Sequence, residues 1–360
     1  MCNAIAQPAV DREFGRPNKK IAGVALASQV GLLAGAAIWG FTADIIGRKL
    51  AFNSSLFICA AFVLIAGGMP NYVSFSAMLV QTPPAVLICN LTSRRVAIYS
   101  AGAGGNYVLD ATNLLEFLPV SHTWLVTFMS IWWAVGYTIT GLLAWAFMSN
   151  YSCPSKSTPA TCHREQNWGW RYLHFTAGSL VLVLSVIRLL FIRMQQTPRW
   201  LIAQNRDAEA IAGLAEIAQK YNRPFSLTLA QLEAQGRVLH TEKSRWSALR
   251  MGKHFGGLFE TRLLTFSTAV IFANWFVIGM VSPLYSVFLP YYLESRGATV
   301  NGPPSNYTTW RNYAINKVAG LIGPIIAGIL VETKLFGRKG TLAVGALITM
   351  ILQFGYVRSP

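Results

Sequence analysis

The sequence predicts an all-α integral membrane protein, and three observations carry that reading. Only 12% of the 360 residues are charged and 53% are hydrophobic, with a mean hydropathy of +0.41, whereas soluble domains carry roughly a quarter of their residues as charges. Several charge-poor stretches reach the length of about 18 residues that crosses a hydrocarbon core as a helix. The basic residues, which give a net charge of +16, cluster between those stretches instead of spreading over one face. The lipid bilayer, and not nucleic acid, is therefore the expected partner.

Taken in order, Met1–Lys20 holds Asp11, Arg12, Glu13, Arg16, Lys19 and Lys20 without an apolar core, so no secretory leader is expected there. Ile21–Ala43 is the first span, fenced by Lys20 and Asp44, and Leu50–Met69 is the second, closed by the turn dipeptide Pro70-Asn71. Val80–Ser100 fits poorly, because Pro83, Pro84, Arg94 and Arg95 fall where a further helix should run and paired arginines are expensive at mid-membrane. Thr123–Met148 and Leu263–Leu293 are the clearest spans. Tyr172–Ile192 carries Arg188 near one end, where a long side chain reaches the headgroups. Tyr313–Val331 contains Lys317 together with Gly320, Gly323, Pro324 and Gly328, which permit close helix contact and a kink. Thr341–Tyr356 begins one more helix. Between Tyr172–Ile192 and Leu263–Leu293, the segment Arg193–Arg262 is polar, with a helical stretch expected at Asp207–Lys220. The expected organisation is thus residues 1–192 as a first helix bundle, 193–262 as a central loop and 263–360 as a second, partial bundle.

Basic residues are retained on the cytoplasmic side. Arg199, Arg206, Lys220 and Arg223 put the central segment inside, and counting outward places Arg48, Lys49, Lys334, Arg338 and Lys339 there too. The loops Asn150–Arg171 and Glu294–Arg311 then face outward, and each carries a glycosylation acceptor, Asn150-Tyr151-Ser152 and Asn306-Tyr307-Thr308. Cys153 and Cys162 share the first of these loops. Whether they bridge depends on loop geometry, which spacing does not give. No Cys/His cluster has metal-ligand spacing and no triad or phosphate loop occurs, so neither metal, cofactor nor enzyme chemistry is expected.

The loop joining the first two spans reads Gly40-Phe41-Thr42-Ala43-Asp44-Ile45-Ile46-Gly47-Arg48-Lys49. Near the other end of the chain, Gly328, Glu332, Gly337, Arg338 and Lys339 repeat the plan with two extra residues, as two related halves would. Gly40, Asp44, Gly47, Arg48 and Lys49 resemble the motif between the second and third helices of the major facilitator superfamily. Gln196-Thr197-Pro198-Arg199-Trp200-Leu201 partly resembles the element after the sixth helix of its sugar-porter branch. Gly102–Asn106, Asp110 and Glu116-Phe117-Leu118-Pro119 are similar to the fourth helix of fungal-type metabolite:proton symporters and synaptic-vesicle-glycoprotein-related transporters.

The resemblance implies a partial major-facilitator fold of about eight transmembrane helices, helices two to nine of a twelve-helix plan. The first helix and the last three would be missing, and part of Val80–Ser100 would be additional to that plan. It implies proton-coupled transport of a small organic solute, a sugar or an organic acid, by alternating access in the plasma membrane. Asp44, Arg48 and Lys49 would act as a cytoplasmic latch. Asp110 and Glu116, the only acids between Asp44 and Glu165, are the candidates for proton coupling and lie about 9 Å apart along a helix. Asn106, Trp133, Tyr137, Asn274 and Trp275 are candidates to line the solute cavity. Two other readings remain open at this point: a membrane receptor or sensor on the same scaffold, and an inactive truncated product.

Overall fold

The computed structural model describes residues 2–15, 32–40, 43, 46–70, 97–119, 122–154, 157–191, 196–234, 256–295 and 305–358. Among these, all regular elements are helical. They are α1 (Cys2–Phe14), α2 (Arg48–Gly67), α3 (Ala97–Phe117), α4 (Trp124–Phe128), α5 (Ser130–Met148), α6 (Gly169–Phe191), α7 (Pro198–Ala203), α8 (Asp207–Lys220), α9 (Leu229–Ala234), α10 (Arg262–Ser295), α11 (Asn306–Ala319), α12 (Ile322–Glu332) and α13 (Gly337–Arg358). Residues 32–40 are helical as well.

Among the described residues, five stretches are long and apolar enough to cross a bilayer: Arg48–Gly67, Trp124–Met148, Gly169–Phe191, Arg262–Val281 and Asn306–Glu332. Each falls on a span expected from the sequence. Most of the expected span Ile21–Ala43 and residues 80–96 lie outside the described residues. The structure also makes a helix of α1, within the segment whose sequence shows no apolar core. Ile5, Ala6, Ala9 and Val10 recur there at helical spacing and are fully buried, so packing decides the conformation.

Contacts divide the chain into two units: Met1–Gly15, Ala111–Ala177 and Leu293–Pro360 form one, and Arg16–Asp110 with Gly178–Tyr292 the other. In the first, α5 packs along α11, α4 against α12, and α12 against α13. Small residues make the α5–α11 contact close. Gly141, Ala134 and Ala144 are buried on α5, and a Cβ on Gly141 would stand 3.5 Å from the Ala314 backbone. Ser305 and Thr308 cap α11 reciprocally, and the chain breaks at Gly320-Leu321 before α12 resumes with Pro324 in its first turn.

One end of this unit is tied by a buried ion pair. Glu13 of α1 accepts from Arg171 at 2.6 and 2.9 Å, from Trp170 Nε1 at 3.0 Å and from Asn167 Nδ2 at 3.0 Å. The Arg171 and Glu13 side chains are 1% and 4% exposed, and satisfying both carboxylate oxygens is what allows a charge to be buried there. His174 lies between Trp170 O at 2.8 Å and Asn3 Oδ1 at 3.2 Å. Cys153 and Cys162 form a disulfide, with 5.8 Å between their Cα atoms.

In the second unit, Ala43, Ala51, Phe52 and Leu109 form a buried apolar cluster with Trp39 against it. The polar segment is helical at α7, α8 and α9, and α8 packs against the other two. Asp207 and Glu209 open α8 and Lys220 closes it, each charge placed favourably for the helix dipole.

Candidate functional site

The two Gly-Arg-Lys loops share one backbone device. Gly47 has φ +94° and Gly337 φ +54°, both conformations that favour glycine. In each, the glycine N–H closes the preceding turn, Gly47 on Ala43 O at 3.0 Å and Gly337 on Thr333 O at 2.9 Å. A new helix then starts at once, α2 at Arg48 and α13 at Gly337. Both helices therefore carry an Arg-Lys pair in their first turn, where a cation opposes the helix dipole. Those charges gain nothing from the helix dipole.

The surroundings of the two copies differ. A Cβ on Gly47 would stand 2.7 Å from Gln196 Nε2, so the element after α6 lies directly against the first loop. The two stretches that resemble transporter motifs are thus brought together in one unit. Gly40 is half-buried with open space beside it, Arg48 half-buried and Lys49 exposed. Asp44 lies outside the described residues. In the second copy, the Arg338 guanidinium donates to Thr123 Oγ1 and Gly328 is buried against the Phe128 ring, while Glu332 and Lys339 are exposed.

On α3, Asn106 and Asp110 are half-buried, and the charged group acting on the Asp110 carboxylate is Arg188 of α6. The Arg188 guanidinium also lies 3.4 Å from the centroid of the Phe52 ring. A basic residue therefore acts on Asp110, as one of its two readings from the sequence expects. Glu116 is half-buried further along α3. Between them, Asn113 is only 7% exposed, and among the described residues neither atom of its amide finds a hydrogen-bond partner. Sequence reasoning passed over Asn113, although a lone amide between the two acids of this stretch was visible.

Trp133 and Tyr137 sit one turn apart on α5, each 42% exposed, and the Tyr137 ring lies 5.9 Å from Lys317 Nζ of α11. Asn274 and Trp275 are exposed on α10. The two sequons are neighbours, since Asn306 Nδ2 donates to Ser152 O at 3.2 Å and Cys153 O at 3.0 Å. Asn150 is exposed and its Nδ2 donates to Ala146 O at 3.1 Å. Among the described residues, no group of three His, Cys, Asp or Glu side chains is arranged to hold a metal ion.

A family model described as "Major Facilitator Superfamily" matches residues 1–360. The chain is 37% identical over 364 residues to "Major facilitator-type transporter hxnZ" of Emericella nidulans, covering 98% of this chain and 62% of that protein. It is 40% identical over 344 residues to "MFS siderochrome iron transporter 1" of Ceriporiopsis subvermispora, covering 92% and 61%. It therefore spans about six tenths of the length of these two relatives, 62% and 61%. Among solved structures, the proton:xylose symporter XylE bound to 6-bromo-6-deoxy-D-glucose matches with a TM-score of 0.51 at 17% identity, over 92% of this chain and 66% of that one, a likeness of fold. With five stretches of bilayer-crossing length among the described residues and a family match along its whole length, the chain belongs to the major facilitator superfamily, a family of integral membrane transporters rather than enzymes.

Proposed function

We propose that these residues belong to a secondary active transporter that moves a small organic solute, a sugar or an organic acid, together with protons across the plasma membrane. The observation that carries this reading is the pair of Gly-Arg-Lys loops, at Gly47 and Gly337, in which a glycine of positive φ closes the preceding turn and is followed by Arg-Lys. A repeated gate at matching helix ends is what alternating access between two related halves requires. The bundles would be residues 1–192 and 263–360, with 193–262 as the cytoplasmic connection. About eight helices, two to nine of a twelve-helix plan, is the count that goes with this reading.

Asp110 supports coupling to protons. Arg188 is the charged group that acts on it, and protonation would weaken that attraction and leave the guanidinium to the Phe52 face it already touches. Glu116 is the second candidate carrier. Asp44, Arg48 and Lys49 would latch the cytoplasmic side. Asn106, Trp133, Tyr137, Asn274 and Trp275 would meet the solute, with Asn150 and Asn306 on the outer face. The test is uptake of labelled sugars and organic acids by cells expressing the full reading frame, under an imposed proton gradient. Gradient-driven accumulation of one solute, collapsed by a protonophore and by Asp110→Asn, is the expected result. Uptake that ignores the gradient would remove the proton, and a membrane protein that accumulates nothing while still binding a solute would favour the receptor reading.

A further inference from the structure

Lys317 stands near the middle of the apolar segment Asn306–Glu332, roughly 17 Å along the helix from Asn306 and 22 Å from Glu332. Its position is built. The lysine stem crosses Gly141 of α5, where an added Cβ would meet Lys317 Cβ and Cγ at 3.2 Å. Thr138 of the same helix donates its hydroxyl to Lys317 O at 3.0 Å. The ammonium lies 5.0 Å from the Tyr313 ring centroid and 5.9 Å from that of Tyr137. Tyr313 is 1% exposed and so is held by packing, whereas Tyr137 and Trp133 are open at 42% each.

Among the described residues, no carboxylate pairs with this ammonium, which meets only the faces of two rings. A cation at such a depth is costly, and ring faces offset only part of that. The N–H donors of a Lys ammonium are best satisfied by an anion. Trp133 and Tyr137 add exposed flat apolar surface one helical turn apart, beside the charge. An organic cation would be repelled here, and an uncharged sugar would leave the ammonium uncompensated.

We propose that Lys317 anchors the carboxylate of the transported solute, with Tyr137 and Trp133 flanking its apolar body, so that the substrate class is a small organic anion. This rests on the transport reading above and narrows it from sugars and organic acids to the latter. The direct test is binding to the purified 360-residue protein in nanodiscs, read by calorimetry and by ligand-induced thermal shift. The probes are benzoate and succinate as carboxylates and benzamide as the neutral counterpart of benzoate.

At least one carboxylate should bind, with benzamide weaker than benzoate if benzoate is that ligand. Lys317→Met should weaken carboxylate binding by about ten- to hundredfold, the loss expected for one charge-assisted hydrogen bond. Without ligand, the same variant should unfold at or above the wild-type temperature, because a lone buried charge has been removed. Lys317→Arg, which keeps the charge, should bind better than Lys317→Met. No binding of either carboxylate, equal binding of benzoate and benzamide, or undiminished binding in Lys317→Met would overturn the proposal. Cellular uptake separates it from the reading it rests on. Binding without uptake would preserve the anion site and refute transport, whereas uptake of a sugar without carboxylate binding would do the reverse.

Discussion

Replacing Gly47 by alanine probes the turn on which the first loop depends. The glycine adopts φ +94°, ψ 143°, a region nearly closed to residues with a Cβ, and forcing alanine into it costs about 1–3 kcal/mol. The new methyl would also stand 2.7 Å from Gln196 Nε2 and 3.1 Å from its Oε1. Those atoms end a flexible side chain, so the amide swings away, and the further cost is about 0.5–1.5 kcal/mol, that of a side chain pushed off its rotamer. A total of about 1.5–4.5 kcal/mol follows. Gly337→Ala is the internal control, because its φ of +54° is strained but nothing lies within 4 Å of the added Cβ, so only about 1–2 kcal/mol is at stake. Unfolding titrations in mixed micelles give both values, and Gly47→Ala should be the less stable variant. Shortening the obstacle in Gly47→Ala/Gln196→Ala should recover part of the difference through coupling of the two sites. Stability of Gly47→Ala within about 0.5 kcal/mol of wild type, or a double variant no better than the single one, would refute the geometry.

Glu13→Ala leaves Arg171 buried without its carboxylate and should destabilise the protein by about 3–5 kcal/mol, measured by the same titration. Alkylation of the unreduced protein should spare Cys153 and Cys162 while labelling Cys2 and Cys59 on unfolding. Replacing the bridge by serines should lower stability by about 2–3 kcal/mol for so short a loop. In the expressed protein, Asp110→Asn should insert normally yet lose gradient-driven uptake, and normal accumulation would reduce the Asp110–Arg188 pair to a structural role. A glycosidase-sensitive mobility shift should vanish in Asn150→Gln and persist in Asn306→Gln, because Asn150 is exposed whereas Asn306 is half-buried with its nitrogen held by the Ser152 and Cys153 carbonyls. The opposite pattern would show that the loop opens before it is modified.

The sequence by itself determined which stretches are apolar enough to cross a bilayer and which are not, because that property belongs to each segment alone. Arg262–Val281 and Gly169–Phe191 lie where charge-poor windows put them, and Asp207–Lys220 is the helix its pattern announces. The repeated Gly-Arg-Lys was legible for the same reason, since a turn needing a positive φ writes its glycine into the local sequence. Tertiary structure alone decided which faces meet. Glu13 and Arg171 are far apart in the chain, and nothing local marks them as partners inside a buried pair. Gln196 gained its place against Gly47, and Lys317 the Tyr137 ring, only when helices distant in sequence were packed. Bilayer partitioning reads each segment against lipid one at a time, whereas the pairing of polar groups is fixed by close contact between segments. A span can therefore be read from composition, but the partner of a buried charge cannot.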